Sequence, residues 1–310
     1  MKAIQFFAIT ALGAALFASC SNQEELATGS YPSDNLIRVT AGVNNDMTRG
    51  DEAATALTKN FSLTVVNNTN DKYSYANEIF SLNGTEWSCG KNLLWQNLST
   101  PVEIVALYPA ADASTFSGVY SKENKSYGTI TYGVNPNQST PDEADDLFLY
   151  HNASFVPKDN LKEEKLDIEF NHAFCRVDIE VTIGSEFNAT NSLAENPIQG
   201  IRVEGTKIAA DINLASASPT ITAKGDATSI IPTPGDFTPA ASAANQAVAR
   251  YSCMVIPQAA DLNIVLHTSD REYEWTGTEM ALESGKQYTL KLNMTNKSTT
   301  ARKFILRERK

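Results

Sequence analysis

Apolar and polar residues alternate with a period of two along most of the chain. Ile37, Val39, Ala41 and Val43 alternate with Arg38, Thr40 and Gly42, which places the four apolar side chains on one face of a strand. Comparable runs follow at 61–66 (FSLTVV), 102–108 (VEIVALY), 146–150 (DLFLY), 165–170 (KLDIEF), 175–183 (CRVDIEVTI), 201–205 (IRVEG), 251–256 (YSCMVI), 262–268 (LNIVLHT) and 287–295 (QYTLKLNMT). Clusters of Gly, Pro, Asn and Asp bound them, the pattern of an all-β sandwich. In the last run Tyr288, Leu290, Leu292 and Met294 share one face, while Thr289, Lys291, Asn293 and Thr295 share the other. One buried and one wet face are predicted. Helical signal is confined to 51–57 and the Ala-rich 240–249, both read as loop elements between strands. The region 214–248, rich in Ala, Ser, Thr and Pro, reads as long surface connections. LDIEFNHAFCRVDIEVTI is almost unbroken β sequence, so a seam is expected near His172, with a long strand joining residues 36–172 to 173–297. Each half suffices for one sandwich.

Composition narrows the class. With 42% hydrophobic and 20% charged residues the chain is core-forming. The formal net charge of −11 argues against a nucleic-acid partner, which needs a basic stripe. The charge is uneven: residues 297–310 carry +5 and the rest −16. Residues 1–19 read as a targeting segment, with Lys2 as the positive start and Ile4 to Phe17 as a short apolar run. That run is too short for a spanning helix. It ends in Leu16-Phe17-Ala18-Ser19-Cys20, which resembles the bacterial lipoprotein signal. The resemblance implies a diacylated Cys20 that becomes the first residue, and several acyl chains hold a protein stably on a membrane. Residues 20–35 have a tether's composition, and Ser21-Asn22-Gln23-Glu24-Glu25 resembles an acidic signal for export to the outer surface. Cys89, Cys175 and Cys253 remain, an odd count that rules out a fully paired framework. Buried free thiols are expected, with one pair plus one free thiol as the alternative.

The order of several short motifs carries a wider resemblance. An early strand ends in Thr48-Arg49-Gly50. Trp95 precedes a β run closing on Tyr108-Pro109, and Asp145-Asp146-Leu147-Phe148 follows. Then come Phe170-Asn171-His172-Ala173-Phe174 leading into Arg176-Val177-Asp178-Ile179, and a closing Gly285-Lys286-x-Tyr288-x-Leu290. This order resembles the fimbrillin family, the type V pilus subunits of outer-membrane bacteria. The resemblance implies two tandem transthyretin-like β-sandwiches exported as a surface lipoprotein. It also implies an Arg-specific surface protease that removes the first strand, so that a strand of another pilus subunit fills the groove left behind. Here the removable strand would be Ile37, Val39, Ala41 and Val43. The cut would follow Arg49, in a polar, Gly-flanked segment where proteases find extended chain, with Arg38 as the competing site. A groove of a few hundred Å² at ~25 cal/mol per Å² is several kcal/mol of burial for an incoming strand to recover. The basic tail 298–310, with Phe304, Ile305 and Leu306 at its centre, is the candidate donor strand. Its shortness leaves a tip or anchor subunit open beside a stalk subunit.

Other constellations are weaker. Arg49-Gly50-Asp51 matches an integrin-read tripeptide, taken as coincidence. Asp142-Glu143-Ala144-Asp145-Asp146 lacks the ligand spacing of a calcium loop and reads as a solvated loop. His151, His172 and His267 stand singly, with His172 expected to hydrogen-bond within the core. No nucleophile, metal or nucleotide fingerprint is present, so no enzyme, metal or cofactor is expected. The alternative function is glycan binding on a β-sandwich surface lipoprotein, with Trp87, Trp95 and Trp275 as a stacking platform.

Overall fold

Strand pairing among the described residues sorts the period-two runs into one closed barrel, three larger open sheets and a two-stranded ribbon. The computed structural model describes residues 31–44, 57–142, 145–188, 195–215, 219–295 and 298–308, with backbone alone for 300–308. The first half contributes β1 (Arg38–Val43), β2 (Phe61–Val66), β3 (Tyr75–Asn83), β4 (Glu86–Ser88) and β5 (Val102–Tyr108). It continues with β6 (Tyr120–Ser121), β7 (Ser126–Tyr127), β8 (Thr129–Gly133), β9 (Phe148–Phe155) and β10 (Lys165–His172). The barrel runs in the order β1-β10-β9-β5-β2-β3-β4 and closes on itself. Its interior is aromatic: the Phe61 ring stacks on Phe80 at 5.2 Å between centroids and meets Trp87 and Phe170 edge-on at 4.8 and 5.7 Å. Such pairs add to the burial of large apolar rings.

The second half holds β11 (Cys175–Ile183), β12 (Gly200–Glu204), β13 (Lys207–Asn213), β14 (Thr220–Ala227) and β15 (Thr233–Thr238). After them come β16 (Ala247–Val255), β17 (Gln258–His267), β18 (Glu272–Leu282), β19 (Lys286–Met294) and β20 (Thr299–Glu308). A five-stranded sheet has the order β15-β16-β11-β19-β20, and two three-stranded sheets have the orders β12-β17-β18 and β14-β13-β8. The fold is all-β. The predicted faces of β19 are observed: Tyr288, Leu290, Leu292 and Met294 are buried, and the intervening residues are half-buried.

Three differences from the sequence expectation have physical causes. First, residues 165–183 do not form one strand. The chain breaks at Ala173-Phe174, where Ala173 N–H donates to Leu147 O at 2.7 Å and Gly285 N–H donates to Phe174 O at 3.1 Å. Phe174 is fully buried in the second core, so the chain switches sheets there. Second, 214–248 is not all connection. β14 and β15 lie in it as sheet-end strands, with few buried positions to advertise them. The Ala-rich 240–249 also enters β16, because Ala247 and Ala249 are buried against Ile183 and Val181 of β11; burial overrides Ala's helical preference. Third, β8 precedes the expected seam yet pairs with β13 over Thr129–Gly133.

The two cores meet through β2 and β5. Phe61, Leu63, Val65, Ile104, Ala106 and Tyr108 belong to the barrel core, whereas Val66, Val105 and Leu107 belong to the other. Burial on both faces is why these runs read as continuous apolar stretches. Beside this joint the acidic run departs from the expected solvated loop at its end: Asp142 is exposed, but Asp145 and Asp146 are buried. Asp145 Oδ1 accepts the Asn135 N–H at 2.6 Å and Asp146 Oδ2 pairs with His172 Nδ1 at 2.7 Å. Desolvation raises the Asp145 carboxyl above its ordinary range. The histidine is thus satisfied inside the structure, as expected.

Replacing Phe61 with alanine should cost about 3–5 kcal/mol in urea unfolding, against about 0.5 kcal/mol or less for the exposed Leu98. Cys89, Cys175 and Cys253 are all free. The last two are buried, and burial pushes the Cys253 thiol up. A thiol reagent should therefore label Cys89 in the native protein and the other two only on unfolding; early labelling of Cys175 would contradict the buried placement.

Candidate assembly site

The candidate site is the strand that closes the barrel. Short alternation in 37–43 suits a strand with one face on a core, and the neighbouring chain determines how it is held. β1 runs parallel to β10, with Arg38 opposite Lys165 and each residue in step to Val43 opposite Phe170. Its other flank is held more sparsely. Ile37 N–H donates to Leu93 O at 2.9 Å, Trp95 N–H donates to Asn35 O at 2.8 Å, and Val39 pairs with Trp87 of β4. Among the described residues, pairing on that flank ends at Val39.

Burial follows the same gradient. Ile37 and Val39 are 8% and 5% exposed and belong to the barrel core. Ala41 and Val43 are half-buried against it. The chain leaves the strand at Asn44, whose N–H donates to Phe170 O at 2.8 Å.

A polar rail fastens β1 from outside. Thr40 Oγ1 donates to Asp167 Oδ1 at 2.9 Å, and Asn44 Nδ2 donates to Asn171 Oδ1 at 3.3 Å. Lys162 Nζ reaches Asp167 Oδ2 at 2.7 Å and Glu169 Oε1 at 3.1 Å, which raises the lysine above its ordinary range. Arg38 opens the strand rather than sitting in its middle. Its guanidinium pairs with both oxygens of Asp34, at 3.0 and 2.5 Å, and holds that carboxyl below its ordinary range. The rail was not legible from sequence, because parallel pairing joins residues 127 positions apart. The Asp34–Arg38 pair had a sequence signal in its four-residue spacing.

The tail lies on the other half of the molecule. β20 is antiparallel to β19 at the end of the five-stranded sheet. Phe304 takes the register position opposite Leu290, Leu306 that opposite Tyr288, and Ile305 that opposite Thr289. The tail is therefore paired within its own chain and is not brought to β1. Cys20 and Arg49 lie outside the described residues.

The remaining candidates supply no second site. Trp95 is buried and stacked on Phe155 at 5.6 Å, while Trp87 and Trp275 are half-buried against the two cores. They form no shared exposed platform. His151 pairs with Glu103 at 2.7 Å and His267 with Glu272 at 3.0 Å. Among the described residues, no group of three or more His, Cys, Asp or Glu could hold a metal ion.

Comparison with known proteins agrees with this architecture. A candidate cell adhesion protein from Bacteroides uniformis has a TM-score of 0.60 at 14% identity, over 89% of this chain and all of that one. A second, from Bacteroides ovatus, has a TM-score of 0.60 at 15% identity, over 88% and 97%. A fimbrial protein from Bacteroides vulgatus has a TM-score of 0.50 at 11% identity, over 88% and 99%. At such identities the likeness is one of fold. No curated protein matches. The model of the fimbrillin-like family matches residues 38–304, from the first residue of β1 into β20, and the chain belongs to that family.

Proposed function

We propose that the protein is a structural or adhesive subunit of a cell-surface pilus, exported as a lipoprotein through Cys20 and assembled by exchange of its first strand. In this reading an Arg-specific protease of the cell surface cuts after Arg49. β1 leaves, and a strand from another pilus subunit takes its place beside β10. The observation that carries the reading is the unequal hold on β1. One flank has a full parallel ladder; the other has a few contacts that stop at Val39. Loss of β1 would bare the edge of β10 and the aromatic floor beneath Val39. Both are strong incentives for strand addition, since unpaired edge amides and exposed apolar surface seek a partner. Arg38 is the poorer cut site, because it starts the ladder and is ion-paired to Asp34. Family membership supports a fibre role over an enzymatic one.

Treating the full chain with an Arg-specific protease should yield a new terminus at Gly50 and a ladder of detergent-resistant oligomers. Arg49→Ala should abolish both, whereas Arg38→Ala should leave them. Oligomers that retain residues 20–49 would contradict the reading. Deleting 298–310 should leave a cleavable subunit that no longer forms fibres visible by electron microscopy. Normal fibres from that deletion would remove the tail from the donor role.

A further inference from the structure

We propose that the cleft beside Tyr132, where the barrel meets the second half, binds one ring of a neutral saccharide. Lys59 and Asn60, which lead into β2, form one wall. Residues 109–111 and Thr115, which follow β5, form another, and Tyr132 of β8 completes the lining. None of these residues belongs to 20–49 or 298–310, so exchange of strands removes no part of the lining. The cleft holds about 350 Å³, at the lower end of small-molecule clefts, which span roughly 300–1,000 Å³. That is room for one pyranose ring and too little for a bulky ligand. The cleft opens to solvent, so the rest of a glycan chain can stay outside.

The lining combines the two kinds of surface that a sugar ring presents. Pro109 and Ala110 are buried and apolar, and the Tyr132 ring is fixed by Phe116 and Phe174, each 6.0 Å away between centroids. These suit the C–H face of a ring, and tyrosine adds an apolar body with a polar tip. The polar groups are in part uncommitted. Lys59 Nζ donates to Asp142 Oδ1 at 2.5 Å and carries two further N–H donors. Asn60 O accepts the Ala110 N–H at 2.7 Å, while its side-chain amide has no partner among the described residues. Thr115 Oγ1 accepts the Ala111 and Asp112 N–H groups at 3.2 and 3.3 Å, which leaves its own O–H to donate. Vicinal hydroxyls, each both donor and acceptor, match this set; a wholly apolar ligand would strand it. Charge then selects among sugars. Lys59 is the one ionised group among the described lining residues, and Asp142 already pairs with it. Asp112, next to Ala111, is held below its ordinary range by Ser114 and Thr115 and stays ionised. Burial, with Asp145, Asp142 and Asp146 beyond it, pushes the Tyr132 phenol up to about 12. The field around the cleft is therefore negative, and a carboxylate on the ligand would be repelled. The three tryptophans take no part.

The test titrates methyl glycosides of glucose, galactose and mannose, with methyl glucuronide as the acidic counterpart, into the uncleaved full chain. Binding is read by calorimetry or saturation-transfer NMR. At least one neutral glycoside should saturate with a Kd in about the millimolar range that so small a ligand reaches, and the glucuronide should bind about fivefold more weakly. Asn60→Ala should weaken binding about threefold to tenfold, the range of one lost hydrogen bond. Ala111→Trp, at the exposed rim, should block the cleft. Thermal melting of both variants controls for folding. Saturation by none of the neutral glycosides, or binding unchanged in both variants, would overturn the site. Glucuronide bound as tightly as the neutral sugars, or saturation by a short apolar peptide alone, would overturn the ligand class. Cleavage plays no part in the experiment, so each of these outcomes leaves strand exchange untouched.

Discussion

The parallel ladder between β1 and β10 is the constraint on which the rest of the barrel depends. Without β1 most of β10 would have no strand partner, because β1 pairs Lys165 to Phe170 and the ladder with β9 covers Asn171 and His172 alone. Backbone groups at a buried edge must find partners, and here they come from a segment 127 residues earlier in the chain. The same strand lays Ile37 and Val39 over the aromatic floor. Closure of the barrel and coverage of its core are therefore one event. The hold on β1 is a full ladder toward β10 and thin on the opposite flank.

The barrel is not isolated from the second half. β2 and β5 present one face to each core, and β8 is lent to the sheet of β13. The joint at Ala173-Phe174 is fixed by backbone bonds to Leu147 and Gly285 and by the His172–Asp146 pair. Ser284 Oγ also donates to Ala173 O at 2.6 Å. A change in the closing strand thus acts on a body whose far side is buried and bonded.

How much could be read in advance depends on how far each residue's partner lay. β5 and β19 were bounded to within a residue, because their apolar pattern reports their own burial. β14 and β15 were missed because half-wet strands at sheet ends carry few apolar positions. Asp145 and Asp146 looked like a solvated loop, since a run of acids says nothing of the Asn135 amide and His172 imidazole that meet it in space. The same holds for the rail: Asp167 and Glu169 are unremarkable on a strand until Thr40 and Gly42 are laid beside them.

The sequence by itself determined the all-β class, the buried face of each regular strand, the family and the composition of the two ends. These are properties of alternation, local composition and motif order, which one segment displays without its neighbours. Tertiary structure decided which strands became neighbours: that β1 closes a barrel beside β10, that β8 crosses to the other half, and that β20 folds back on β19. Strand pairing is set by backbone groups, which are alike in every residue, and by burial contributed from distant segments. The partner of a strand is therefore written in the whole chain and in no single stretch of it.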